Sequence, residues 1–126
     1  MDERIKDYWQ KFQDALPFDS PYRARPFVAE GWGDSPQMAD ELGMLIAAGL
    51  KTATCSAVWE WQSEGQDWTS PGLITVVING RGEPLCIVET IEVTVRRYDK
   101  VDAAFAFDEG EGDRSLDYWR KVHWEA

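Results

Sequence analysis

The first residue in this sequence with a chemical consequence is a carboxylate among apolar neighbours. Residues 85–96 alternate as a strand does, so Leu85, Ile87, Glu89, Ile91, Val93 and Val95 share one face, and Cys86, Val88, Thr90, Glu92, Thr94 and Arg96 the other. Glu89 lies in the middle of the more apolar face. An isolated ionised carboxylate in such a place costs several kcal/mol, so it must be paired, protonated or open to a cleft. A β-bulge that turns it outward, or an ion pair without chemistry, are the ordinary alternatives. Lys51 is the leading candidate for its cation. It follows a helix stop at Gly49, where a positive charge also suits the helix's C-terminal end. Thr54 comes three residues later; on a regular strand it would face away from Lys51, so convergence needs an irregular turn after Gly49. The chemistry open to such a set is proton transfer, by a lysine and a glutamate that titrate as a unit beside a hydroxyl.

The elements that must position these residues can be read from periodicity and punctuation. Ile5, Tyr8, Trp9, Phe12 and Leu16 recur at helical spacing and predict an amphipathic helix over 2–16. Pro17, Pro21 and Pro26 then break the pattern, leaving a connector to about Gly33 that carries Arg23, Arg25 and Trp32. Ser35 as N-cap, Pro36 at the first helical position and Asp40 and Glu41 nearby predict a second helix, with Leu42, Leu45 and Ile46 facing inward and Gly49 as its stop. Strands are expected at 51–59, at the continuous apolar run 73–78 and, beyond a turn at 79–82, at 85–96. Two more helices are expected at 99–106 and 114–124. This order predicts an α+β fold with a compact antiparallel sheet or barrel, in one domain spanning 1–126 with the core in 33–126.

Composition limits the function classes. The chain has 126 residues, 44% of them hydrophobic, and seven tryptophans, enough for one core. Its longest apolar runs fall far short of the ~20 residues of a membrane span. The charged N-terminus lacks a signal-peptide core, so a cytoplasmic location is expected. The net charge of −10 works against general affinity for polyanions and so against a DNA duplex, and favours a small or short ligand. Cys55 and Cys86 read as two reduced thiols. One histidine, His123, and no CxxC spacing argue against zinc.

The stretch GLKTATCS (residues 49–56) resembles the GxKxxT signature of the ASCH domain family, with Gly49, Lys51 and Thr54 in its fixed positions. WGDSPQMADEL (32–42) before it, CIVETIEV (86–93) after it, and FDEGEGDRSLDYWRKVHW (107–124) extend the likeness in the right order, the last resembling the closing signature of the bacterial single-domain branch. The resemblance implies a PUA-like fold, a small β-barrel of mostly antiparallel strands flanked by helices. It also implies a cleft beside the barrel that binds RNA or a nucleoside-like ligand. Some small members resemble amidohydrolases acting on acetylated cytidine through a Lys, a Thr and a strand Glu, which here match Lys51, Thr54 and Glu89; others are linked to ribonuclease activity. Members of this branch usually continue into another strand past the last helix, so barrel closure here would be incomplete or that edge covered by a partner.

On the amidohydrolase reading, Lys51 takes the proton of Thr54, Thr54 Oγ attacks the acyl carbon, and Glu89 holds Lys51 and relays a proton to the leaving amine. An ionised Glu89 opposes this by raising the pKa of Lys51. The ribonuclease reading would use Lys51 at the phosphate and needs a base; His123, on a helix beside Trp119 and Trp124, reads first as packing. A non-catalytic RNA-binding module is the third reading. Gly49, Arg114 and Ser115 are candidate ligand-binding residues. Asp108, Glu109, Glu111 and Asp113 lack calcium-loop spacing and read as a glycine-jointed turn and an acidic helix start capped by Asp113, with no metal expected. No cofactor is implied. Trp59 and Trp61 share a strand face, read as core or barrel packing ahead of base stacking.

Overall fold

The apolar stripe of the N-terminal segment forms α1 (Glu3–Ala15) in the computed structural model, which describes residues 2–33, 35–55 and 70–125 of the chain. Asp2 caps it, its carboxylate accepting from Arg4 N at 2.7 Å. Ile5 and Trp9 are its buried residues, and they form a core with Ile74 and Val76 on which Tyr8, Phe12, Phe27 and Ile87 pack. Trp9 lies 4.5 Å from Phe27, centroid to centroid, in a stacked arrangement.

The proline-rich connector holds a 3-10 turn (Pro21–Ala24) and β1 (Val28–Glu30), a strand its sequence does not announce. β2 (Ile74–Ile78) is the central strand, pairing parallel with β1 and antiparallel with β3 (Pro84–Glu89). Ile74, Thr75, Val76 and Val77 are all buried, which accounts for the unbroken apolar run. Asn79 builds the following turn by accepting from both Arg81 N and Glu83 N, at 2.9 and 3.0 Å.

α2 (Pro36–Ala47) starts as its sequence predicts, with Ser35 Oγ accepting from Met38 N at 3.1 Å. Its buried points are Ala39 and Gly43. A Cβ on Gly43 would stand 2.6 Å from Leu85 Cδ1, so the glycine lets the helix approach β3.

Several expectations need correction. The last strand ends at Glu89, not Arg96: Thr90 N still reaches Leu73 O at 2.9 Å, but β2 starts at Ile74 beyond Pro71 and Gly72, so the ladder runs out. The register shift lies at Val77/Ile78, away from Glu89. The sheet of the described residues is three-stranded, mixed and open, where a mostly antiparallel barrel is implied. Residues 51–55 carry no strand, and 56–59, with Trp59 and Trp61, lie outside the described residues. The helix expected at 99–106 is a 3-10 turn (Tyr98–Lys100) and then α3 (Ala103–Glu109), because Asp102 caps the latter through Phe105 N. α4 (Leu116–Glu125) is capped by Ser115, not Asp113. The fold is α+β, with four α-helices among the described residues, none long and apolar enough to cross a membrane.

These residues gather into two units: Met1–Met44 with Thr69–Glu92, and Leu45–Trp68 with Val93–Ala126. The sheet belongs to the first, and Lys51, α3 and α4 to the second.

Candidate functional site

Lys51 is placed by the way α2 ends. Gly49, at φ +78°, turns the chain, and Leu45 O accepts from both Leu50 N and Lys51 N, at 3.0 and 3.1 Å. A Cβ on Gly49 would meet nothing within 4 Å, so its backbone conformation and not space calls for glycine. The next two amides, Thr52 N and Ala53 N, both bond to Asp108 O at the end of α3, at 2.7 and 3.1 Å. This is the irregular turn that the motif requires.

The Lys51 side chain enters a polar cage and is 2% exposed. Its Nζ lies 2.8 Å from Ala53 O, 3.3 Å from Glu109 O, 3.1 Å from Glu109 Oε2 and 3.0 Å from Glu111 Oε2. Four acceptors thus surround three ammonium protons. Glu109 closes α3, and Gly110 follows in the left-handed conformation at φ +72°. A Cβ on Gly110 would run into the Leu50 backbone. Glu109 Oε1 accepts from Trp119 Nε1 of α4 at 3.1 Å.

The two carboxylates differ. Burial pushes Glu109 up, but the hydrogen bond from Glu111, the charge of Lys51 and bonds from Cys55 and Trp119 outweigh it and hold Glu109 below the usual range. Burial and the same Glu109 contact push Glu111 up, against the pull of Lys51. One cation thus faces two carboxylates, one held below and the other above the usual range.

The other candidates surround this cage or lie in the first unit. Thr54 is exposed. Arg114 adopts φ +66°, donates from Nε to Phe107 O at 3.0 Å and from Nη2 to Leu50 O at 3.3 Å, and lies 3.6 Å over the Phe107 ring. It braces the joint between α3 and α4. Ser115 Oγ accepts from Tyr118 N at 3.1 Å, as a cap. Glu89 lies in the first unit, where its Oε1 accepts from Tyr22 OH at 2.9 Å and its Oε2 stands 3.7 Å from Arg25 Nη2. It lines a groove of about 180 Å³ with Phe12, Tyr22, Ile74, Ile87 and Val88. The carboxylates on Lys51 are therefore Glu109 and Glu111, which sequence reasoning assigned to a turn. The signal for them was available: two glutamates flanking Gly110 in a segment that resembles a family signature.

The ASCH domain family model matches residues 29–126. The chain belongs to the ASCH domain family. Among solved structures, an ASCH domain from Lactobacillus crispatus JV V101 is similar at a TM-score of 0.90 and 30% identity, over 99% of this chain and 79% of that one. Protein EF3133 from Enterococcus faecalis V583 is similar at a TM-score of 0.80 and 33% identity, over 98% of this chain and 72% of that one. No curated protein matches. Within this ASCH domain, the Lys and Thr of the motif sit on the turn that leaves α2.

Proposed function

We propose that this ASCH domain binds an RNA- or nucleoside-like ligand at the turn carrying Lys51 and Thr54, and hydrolyses an amide on the base, as in N4-acetylcytidine. The observation that carries this is the Lys51 cage. A buried ion pair is a poor source of stability, and here one buried cation is set against two carboxylates. Such clusters concentrate at working sites. Next to the cage, Thr54 offers an exposed hydroxyl as the acyl acceptor: its proton passes to the exocyclic amine as the C–N bond breaks, and water then hydrolyses the threonyl ester. Lys51 fixes the turn that presents it and supplies positive charge to the developing oxyanion. Glu89 is the third catalytic residue that the resemblance names, and Glu89→Gln in the turnover assay tests it separately. The parallel β1–β2 pair would be one part of the barrel that the family fold implies.

Binding without chemistry is the second reading, and it has its own observation: all Lys51 protons are already engaged within the chain. Turnover of N4-acetylcytidine, measured beside binding of a short RNA, separates the two. The hydrolase predicts turnover that Thr54→Val abolishes and Lys51→Met lowers at least a hundredfold. Turnover untouched by either variant would remove the site assignment. Ligand binding with no turnover selects the binding module, and steeply salt-dependent RNA binding selects the RNA-directed form of it.

A further inference from the structure

Three ligand-type atoms from separate stretches of the second unit meet at Glu109. Cys55 Sγ, a Glu109 carboxylate oxygen and His123 Nε2 all lie within 4.8 Å of one another. Sγ and Nε2 are 3.3 Å apart. His123 is held in a defined orientation. Its ring stacks on Trp119 at 4.3 Å, and its Nδ1 is 2.8 Å from Trp119 O. A carbonyl only accepts, so Nδ1 carries the hydrogen and Nε2 presents a lone pair toward Cys55. Glu109 Oε1 accepts from Trp119 and Oε2 from Lys51, and the Cys55 contact on the same carboxylate is the one a metal ion would replace.

We propose that Cys55, Glu109 and His123 form a binding site for a divalent transition-metal ion of the zinc type. A thiolate, an imidazole and a carboxylate are zinc's own ligand classes, whereas magnesium and calcium take oxygen. A histidine whose second nitrogen is anchored to a carbonyl is the usual outer-shell arrangement of such sites. On binding, the Cys55 thiol gives its proton to solvent and the thiolate takes the metal. Thiolate and Glu109 then balance the two charges of the ion, while Glu111 keeps its contact with Lys51 at 3.0 Å. Three protein ligands leave the fourth tetrahedral position open.

Cobalt(II) chloride, added to the whole chain under reducing, chelator-free conditions, is a direct probe because its thiolate complexes absorb in the near ultraviolet. One equivalent should produce that band, and one equivalent of zinc should remove it. Cys86→Ser should keep the band, Cys55→Ser should abolish it, and His123→Ala should weaken cobalt binding about tenfold or more. Zinc should also raise the melting temperature of the unsubstituted chain, a readout that holds even if a variant folds poorly. No band at one equivalent, or a band that survives Cys55→Ser, overturns the site. Neither readout involves a nucleoside or its turnover, so this test stands or falls separately from the hydrolase reading.

Discussion

Glu109 and Glu89 have matching partners: each pairs with a basic side chain and accepts a hydrogen bond from an aromatic one. Glu109 has Lys51 and Trp119 Nε1; Glu89 has Arg25 and Tyr22 OH. Their surroundings separate them. The side chains of Lys51 and Glu109 are 2% and 3% exposed, those of Arg25 and Glu89 33% and 32%. Water screens the second pair and lets it loosen, so its net value is small. The first pair has no water to fall back on, and losing one member strands the other. Similar contacts thus describe a site the unit depends on and one it can do without.

The largest effect should come from Lys51→Ala, which leaves Glu109 and Glu111 facing each other in the interior. We expect a loss of about 3–5 kcal/mol in urea unfolding. A loss no larger than that of Arg25→Ala would break the comparison. Gly110→Ala asks whether the cage depends on its backbone as well as on its charges. A side chain at φ +72°, against the Leu50 backbone, should cost about 1–3 kcal/mol. At the exposed site, Arg25→Ala should cost under about 1 kcal/mol, and still less in high salt. There the sharper readout is optical. The hydrogen bond to Glu89, and then its charge, raise the Tyr22 hydroxyl above the ordinary value of 10.0. Tyr22 therefore contributes stability that is fully present below that value and is lost as pH rises through the folded one. In an alkaline absorbance titration, Glu89→Gln should bring the Tyr22 transition back toward the ordinary value; an unchanged transition would refute the contact.

The sequence reads well where structure is local. Helical spacing and caps locate α1 and α2, and the apolar run locates β2, because each signal lies within its own element. β1 has three residues and a partner on the other side of α2, so neither length nor alternation marks it. Alternation runs on past Glu89, but a strand lasts only as long as its neighbour, and β2 stops opposite Glu89. The site divides in the same way. The motif singles out Lys51, which the fold buries, and Thr54, which it leaves exposed. The glutamates on Lys51 come from 58 and 60 residues further along, a pairing no local pattern encodes. The single histidine argued against a metal because spacing rules look for repeated ligands. Cys55, Glu109 and His123 come together through tertiary contacts, α4 packing near the end of α3 and residues 52 and 53 bonding to Asp108 O.

Each unit is woven from two stretches of chain, the first interrupted by residues 45–68 and the second by 69–92. During synthesis Lys51 therefore leaves the ribosome well before the glutamates that will enclose it. Until residues 108–111 have been made, its ammonium lacks both glutamates, and Thr52 N and Ala53 N lack the Asp108 carbonyl that holds the next part of the turn. The cage must form late in folding, after β2 and β3 are available to the first unit. A nascent chain halted at residue 92 would carry a complete sheet and an open, hydrated motif.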